Sequence, residues 1–327
     1  MYDEKLELTQ EWDKTFALSD KVHHEKVTFH NRFGITLAAD LYKPKDAIGK
    51  LPAVAVSGPF GAVKEQASGL YAMTLAERGF VTIAFDPSFT GESGGMPRRV
   101  SSPDINTEDF SAAVDYLSVR DDVDADRIGI VGICGWGGIS LNAAAIDPRI
   151  KATVASTSYV MTRVATKGYY DSEDTSEARM AKRRALSAQR TKDYATGTYE
   201  RAGGVVDPLP EDAPQFVKDY YDYYKTERGY HERSGNSTDG WNTTSDSSWL
   251  NTNLLQFAHE IENAVLVVHG ELAHSRYMGE DAFKLLTGDN KELLIVEGAS
   301  HCDLYDGGGK DAIPFDAIVA FLDKYLA

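Results

Sequence analysis

One glycine-rich turn, within residues 128–138, constrains this chain more than any other stretch of the sequence. The apolar run Ile128–Ile133 leads to Cys134, and the alanine-rich stretch Ile139–Ile146, which favours a helix, follows. Four of the seven residues from 132 to 138 are glycines, which let the backbone make a sharp strand-to-helix turn. A turn of this kind holds a reactive side chain at its tip, so the pattern predicts a nucleophile elbow with Cys134 as the nucleophile.

The predicted turn also places Cys134 at the N-terminus of the following helix. The helix dipole and the free N–H groups there favour a thiolate, and they favour an oxyanion beside it. The alternative is an inert core cysteine, since unpaired cysteines are among the most buried residues. A core position does not require so many glycines, and we therefore favour the nucleophile.

Short apolar runs alternate with helical segments along most of the chain. This alternation is typical of a mostly parallel central sheet covered by helices on both faces. A β-hairpin comes first, because alternating apolar residues in Lys21–Tyr42 flank a turn at Asn31–Gly34. Residues 1–20 form a charged N-terminal arm in which we expect a short helix. The predicted buried strands are Leu51–Val56, Phe80–Phe85, Arg127–Val131, Lys151–Ala155, Ala264–His269 and Glu292–Val296.

Residues 156–263 break this alternation. They are polar and hold ten of the 17 tyrosines, with helical patterns at Glu177–Tyr194 and Ala213–Tyr224. Open α/β folds keep their sites at the carboxyl edge of the sheet, so we interpret the stretch as a helical cap inserted over that edge. A solvated decoration is the alternative, but tyrosine density favours a lid or a homodimer contact. The α/β core then comprises residues 21–155 and 264–327.

The charge balance excludes several classes of partner. The chain carries 34 Lys and Arg against 50 Asp and Glu, a formal net charge of −16. Such a surface repels phosphate backbones and anionic lipids, so we expect neither nucleic acid nor membrane as a partner. No run of about 18 apolar residues and no signal peptide is present, which predicts a cytoplasmic protein. The two cysteines, Cys134 and Cys302, are too few for a disulfide framework.

A thiol nucleophile needs a base, and the base needs an orienting acid. His301 is the expected base, because it follows the last predicted strand at the same sheet edge as Cys134. Glu271 is the carboxylate immediately after the preceding strand, and we predict it as the acid. Asp303, Glu280 and Asp281 are weaker candidates for that role. His269 and His274 are five residues apart in a strand and its loop, so a metal site is not expected.

Two backbone N–H groups should bind the oxyanion of the reaction. One belongs to the residue after the nucleophile and the other to the loop after the strand Leu51–Val56, which selects Gly135 and Phe60. The glycine-rich loop Thr90–Gly95 lacks the pattern of a nucleotide-binding loop. We therefore expect no cofactor.

These motifs together resemble the α/β-hydrolase superfamily, in particular its dienelactone-hydrolase-like and peptidase-like branch with a cysteine nucleophile. The resemblance covers about two thirds of the chain and implies a carboxylic-ester-type hydrolase or an acyltransferase. Two residues depart from the family pattern: Trp136 stands where most elbows have a small residue, and Ala273 stands where many relatives have Asp. The resembling segments are Gly132–Gly138, Lys64–Phe80, Phe85–Gly94 and Gly298–His301.

The sequence thus predicts an α/β hydrolase with a Cys134–His301–Glu271 triad that acts on a small-molecule acyl substrate. A thiol expels a good leaving group more readily than an amine, so an ester, thioester or lactone is favoured over a peptide. Trp136, Tyr169 and Tyr170 are assigned to substrate binding. Acyl transfer by the same triad, or a non-catalytic binding protein on a hydrolase scaffold, are the alternatives.

Overall fold

A computed structural model describes residues 4–327 as one eight-stranded sheet with helices around it. The strand order is β1-β2-β4-β3-β5-β6-β7-β8; β1 and β2 are antiparallel to their neighbours, and the other strands run parallel. The predicted hairpin and the predicted mostly parallel sheet are therefore confirmed. The strands are β1 (Val22–His30), β2 (Thr36–Pro44), β3 (Leu51–Ser57), β4 (Val81–Phe85), β5 (Val123–Ile133), β6 (Ile150–Ser156), β7 (Ala264–Gly270) and β8 (Lys291–Val296).

Helices cover both faces of the sheet, because successive residues of an inner strand point to opposite sides. In β3, Val54 and Val56 pack with α1 and α10, whereas Ala53 and Ala55 pack with α2 and α3. The helices are α1 (Ala67–Ala76), α2 (Pro103–Ser118), α3 (Gly135–Ile146), α4 (Met161–Lys167), α5 (Ser176–Thr196), α6 (Gln215–Lys225), α7 (Asp246–Trp249), α8 (Arg276–Leu285), α9 (Asp303–Asp306) and α10 (Phe315–Tyr325). Within residues 4–327, no helix combines the length and the apolar character needed to cross a membrane.

The N-terminal arm is extended where a short helix was expected. Residues 4–20 contain no helix, and residues 1–3 of the predicted arm lie outside the described residues. The backbone of the arm bonds to the rest of the protein: the N–H of Thr15 donates to the carbonyl of Glu65 at 3.0 Å. Trp12 and Phe16 pack edge to face with each other, and both lie against the apolar cluster of α1 and α10.

The chain between β6 and β7, residues 157–263, carries α4 to α7, and the two helices predicted there are observed as α5 and α6. The segment packs at the carboxyl end of β3, where the backbone N–H of Asn236 donates to the carbonyl of Gly61 at 2.9 Å. Tyr223 and Tyr224 of α6 join the apolar cluster of α1 and α10. Trp249 of α7 joins the cluster of α2 and α3. Both layers of the core therefore extend into this segment.

The turn between β5 and α3 is tight. Cys134 adopts φ 58° and ψ −121°, a conformation that side chains rarely occupy, and α3 begins at the next residue. A Cβ atom at Gly132 would lie 2.0 Å from the carbonyl oxygen of Trp136, and one at Gly137 would lie 2.3 Å from Oγ of Ser158. The bulky Trp136 fits because its ring points into the core, while Gly137 makes the close contact.

We predict that Gly132→Ala and Gly138→Ala differ sharply in stability. Gly132→Ala should lower the free energy of unfolding by about 3 kcal/mol or more, because the new methyl group overlaps backbone. Gly138→Ala has its nearest neighbour at 3.7 Å and lies within α3, so it should be neutral or stabilising by up to about 1 kcal/mol. Urea denaturation of both variants measures the difference, and equal losses would contradict the steric account.

Candidate active site

The thiol of Cys134 lies at the tip of the β5–α3 turn and is almost fully buried. The backbone N–H groups of Gly135 and Phe60 face its sulfur, as do the hydroxyl groups of Tyr305 and Tyr220. Burial raises the pKa of the Cys134 thiol above its ordinary value, and the four hydrogen-bonding groups only partly offset this effect. The thiolate expected from the helix N-terminus is therefore not the resting form, because desolvation outweighs the helix dipole.

The two predicted oxyanion donors meet at Cys134, and the loop that carries Phe60 is held from two sides. Gly58 approaches the elbow so closely that a Cβ atom there would lie 2.3 Å from the carbonyl oxygen of Ile133. On the other side, Nδ2 of Asn236 donates to the carbonyl of Phe60 at 2.7 Å. Sequence reasoning missed Asn236, since nothing in the local pattern marks it.

His301, the predicted base, follows β8 and is buried beside Tyr305, whose hydroxyl faces the thiol of Cys134. Its Nδ1 lies 2.6 Å from Oγ of Ser275, and its Nε2 lies 3.0 Å from the hydroxyl of Tyr305. Burial, followed by the nearby imidazoles of His274 and His269, holds the pKa of His301 well below its usual range. The imidazole is therefore neutral at physiological pH.

Tyr305 connects the thiol to the imidazole. Its hydroxyl faces the sulfur of Cys134 and also contacts Nε2 of His301, so a phenol stands between the predicted nucleophile and the predicted base. It lies four residues after His301 on the short helix α9, which brings both side chains to the same side. The sequence analysis did not single out Tyr305, although this spacing is a local signal that could have found it.

Glu271, the predicted acid, does not contact His301. Its side chain is exposed, and Oε2 accepts a hydrogen bond from the backbone N–H of Gly298 at 2.9 Å. The loop turns the carboxylate outward because the N–H of Leu272 donates to the carbonyl of Ala299. The expected Glu271–His301 contact is therefore corrected.

The three weaker carboxylate candidates are also bonded elsewhere. Oδ2 of Asp303 accepts from the N–H of Ser300 at 2.9 Å, Glu280 pairs with Arg276 at 2.8 Å, and Asp281 pairs with Arg163 at 2.9 Å. The group at Nδ1 of His301 is instead the hydroxyl of Ser275, which is fully buried at the start of α8. Ser275 lies in the loop where the acid was expected, but it is a hydroxyl and not a carboxylate.

A second imidazole supports the first. His274 stacks on His301 with ring centroids 4.9 Å apart, and the hydroxyls of Tyr169 and Tyr220 lie 3.2 Å from its two ring nitrogens. Burial lowers the pKa of His274 to about 4, so this ring is also neutral at pH 7. The stack therefore adds no positive charge beside the thiol.

A cavity of about 210 Å³ opens at Cys134. Tyr169, one of the residues assigned to substrate binding, lines it. The other two do not: Trp136 is 1% exposed and packs between Phe85 and Phe110, and Tyr170 stacks on Tyr277 at the surface. The cavity is lined by Phe60, Cys134, Tyr159, Met161, Tyr169, Gly204, Val205, Tyr220, Asn236, Trp241 and Tyr305.

Known proteins resemble this chain over most of its length. The profile of the X-Pro dipeptidyl-peptidase (S15) family matches residues 34–302. The chain belongs to this family. Its similarity to PA2218, an uncharacterized protein of Pseudomonas aeruginosa, is 57% identity over 98% of this chain and 86% of that protein. The crystal structure of PA2218 has a TM-score of 0.95 and covers 99% of this chain and 100% of its own.

Other relatives place this S15-family member among the α/β hydrolases. It is 36% identical to YcjY of Escherichia coli, over 93% of this chain and 99% of YcjY. The structure of the α/β hydrolase GrgF from a Penicillium species has a TM-score of 0.76, with 20% identity over 93% and 99% of the two chains. A thiohydrolase of Arthrinium phaeospermum is 32% identical over 40% of this chain and 42% of its own. The protein therefore has the α/β-hydrolase fold.

A buried charge cluster holds the loop after β3, which carries Phe60, in this S15-family member. Nζ of Lys64, with a fully buried side chain, lies 2.6 Å from Glu65, 2.8 Å from Asp86 and 2.6 Å from Glu92. In the part of the chain that the structure describes, these three carboxylates form the one group close enough to hold a metal ion, and the ammonium lies between them. Lys64 thereby ties the loop that follows β3 to the loop that follows β4.

The cluster shifts the titration of Glu92. Burial alone would raise the pKa of the Glu92 carboxyl, but the ammonium groups of Lys64 and Lys26 lower it from 4.5 to about 2. A lowered folded-state pKa contributes stability above pH 4.5 that is lost as the pH falls towards 2. The interaction with Lys64 is therefore strongest at neutral pH.

We predict that Lys64→Met destabilises the protein by about 3–5 kcal/mol at pH 7.5, because it leaves buried Asp86 without its ion-pair partner and removes one of the cations at Glu65 and Glu92. The loss should shrink at pH 4.5, where those carboxylates can take up protons. Lys43→Met, which breaks the partly exposed pair with Asp122, is the control and should cost less than about 1 kcal/mol. Urea denaturation at both pH values measures the effect, and a loss that does not change with pH would contradict it.

Proposed function

We propose that this protein hydrolyses an activated acyl bond in an ester, thioester or lactone, with Cys134 as the nucleophile. The observation that carries the proposal is the set of groups around one sulfur at a strained turn. The backbone N–H groups of Gly135 and Phe60 are positioned to donate to an oxyanion, and the hydroxyl of Tyr305 links the sulfur to Nε2 of His301. The thiohydrolase among the relatives supports the same bond chemistry.

The first step activates a thiol that is neutral at rest. With a hydrogen on Nδ1 that donates to Ser275, Nε2 of His301 accepts the phenolic hydrogen of Tyr305, and the phenol oxygen accepts the thiol hydrogen. The proton of Cys134 therefore passes through Tyr305 to His301 as the sulfur attacks the carbonyl carbon. No charged pair needs to exist before the substrate arrives.

The tetrahedral oxygen that forms is stabilised by the N–H groups of Gly135 and Phe60. When this intermediate collapses, the bond to the leaving group breaks, and the imidazolium of His301 returns its proton through Tyr305 to that group. The acyl group remains on Cys134 as a thioester. His301 then takes a proton from water, and the resulting hydroxide attacks the thioester carbonyl. The C–S bond breaks, the imidazolium returns its proton to the sulfur, and the carboxylic acid and free thiol are released.

The neutral partner of His301 narrows the substrate class. A serine hydroxyl stabilises an imidazolium less than a carboxylate does, so protonated His301 is costly in this buried site. Thiolates, phenolates and ring-strained alkoxides leave with little help from an acid, whereas the amine of a peptide requires full protonation. We therefore favour activated esters, thioesters and lactones over peptides, although the family takes its description from a dipeptidyl-peptidase.

Acyl transfer is the second candidate function. Cys134 and His301 are 6% and 1% exposed, so few water molecules reach the acyl-enzyme. An alcohol or amine held in the cavity could then attack the thioester in place of water, with the same proton path. Product partitioning in the presence of added alcohols separates transfer from hydrolysis.

The free thiols of both cysteines support a reducing compartment, and we propose a cytoplasmic location for the protein.

We expect Cys134→Ala to lower the turnover of p-nitrophenyl butyrate by about 10³-fold or more, because no other group can form the acyl-enzyme. Mass spectrometry of the quenched wild-type protein should show one acyl adduct on Cys134. Cys302→Ala, at the other buried cysteine, is the control and should retain turnover. Full activity of Cys134→Ala would favour a non-catalytic role for the site.

Tyr305→Phe tests the proton path. We expect it to lower kcat by about 10²-fold or more with little change in KM, because the link between sulfur and imidazole is lost. Tyr220→Phe removes another hydroxyl that faces the sulfur but contacts His274, not His301, and it should cost less than about tenfold. Steady-state kinetics and the rate of Cys134 alkylation by iodoacetamide measure both variants. Equal losses in the two variants would exclude a special role for Tyr305.

A further inference from the structure

A second cavity, of about 410 Å³, lies next to the cavity at Cys134. The two cavities share three lining residues, Tyr159, Met161 and Trp241, so only side chains separate them. The second cavity is bordered by α4, α5 and α7 of the segment between β6 and β7. Its size is about twice that of the space around the nucleophile.

The walls of the second cavity are mainly apolar. Val164 and Ala165 of α4, Leu186 of α5 and Trp249 of α7 contribute to them. The two charged residues present are already paired: Nζ of Lys182 binds Glu173 at 2.7 Å, and Asp246 accepts from Nε1 of Trp241 at 3.3 Å. An apolar ligand therefore fits the cavity without leaving a buried charge unpartnered.

The geometry of the reaction decides which part of a substrate enters this cavity. The leaving group must face Tyr305, which belongs to the apolar cluster on the α1 and α10 side of the sheet. Met161 and Trp249 belong to the cluster on the opposite side, with α2 and α3. With the carbonyl oxygen held by Gly135 and Phe60, the acyl substituent points away from the leaving group and towards Met161.

The boundary between the two cavities includes a flexible side chain, that of Met161. Met161 lies against the nucleophile turn, because a Cβ atom at Gly135 would be 3.2 Å from its Cγ. Methionine is unbranched and has three rotatable bonds, so it changes rotamer at low cost. A turn of this side chain would join the cavity at Cys134 to the larger one.

We propose that the second cavity binds the acyl chain of the substrate, so that the enzyme acts on thioesters or esters of medium and long unbranched fatty acids. This inference rests on the proposed function and names its substrate class. Each additional methylene group that is buried should raise kcat/KM by roughly fourfold until the cavity is full. Short acyl chains reach only the space around Cys134 and gain nothing from the second cavity.

The test is a series of p-nitrophenyl esters from acetate to dodecanoate, assayed with the wild-type protein and with variants that fill the cavity. Val164→Phe and Ala165→Trp, at half-buried lining positions, both place an aromatic ring in it. Ala188→Trp, at an exposed position of α5 that does not line the cavity, is the matched control. We expect the filled variants to lose at least tenfold in kcat/KM for decanoate and less than twofold for acetate. The control should retain the wild-type profile.

The outcomes are distinct. Wild-type turnover that does not rise with chain length, or a chain-length profile that filling leaves unchanged, would overturn the acyl-chain site while leaving the proposed hydrolysis intact. Acetate turnover in each variant reports that it is folded. The absence of turnover for every ester, thioesters of coenzyme A included, would overturn the proposed function itself, and the acyl-chain site with it.

Discussion

The backbone contact between the β5–α3 turn and its neighbours is the constraint on which the rest of the site depends. Gly132 must be a glycine because the carbonyl of Trp136 occupies the space of a side chain, and this closeness brings Cys134 to a positive φ. The same turn directs the N–H of Gly135 at the sulfur and lets the loop of Phe60 approach. The proposed nucleophile and the proposed oxyanion donors are therefore positioned by one crowded piece of backbone, at the carboxyl edge of the sheet.

The groups beyond the turn share a second property, which is that they carry no charge at rest. Burial raises the pKa of the Cys134 thiol and depresses that of His301, and a hydroxyl occupies the usual place of a carboxylate. Charges are concentrated instead around Lys64, where they hold two loops together. In the proposed reaction, such an uncharged site reacts only once an acyl group occupies it, and it favours leaving groups that need little acid assistance.

Most of the fold could be predicted from the sequence because the relevant signals are local. Alternating apolar residues identified the hairpin, and continuous apolar runs identified the buried strands. The loops after parallel strands meet at one edge of the sheet. The predicted elbow, the predicted oxyanion donors and the position of His301 follow from this rule. The prediction of a short helix in the N-terminal arm was wrong, because the backbone N–H of Thr15 donates to the distant carbonyl of Glu65 and not to a carbonyl within the arm.

The sequence by itself determined the α/β architecture, the tight turn at Cys134 and the loop of His301 at the same sheet edge, because glycine content and apolar periodicity act over a few residues. Only the tertiary structure decided the partners of His301. Glu271 lies where the sequence predicts the acid, but the fold turns its side chain to solvent and brings Ser275 and Tyr305 to the imidazole ring of His301. It also decided that the thiol is neutral, since desolvation depends on everything that packs around a group and not on its neighbours in sequence.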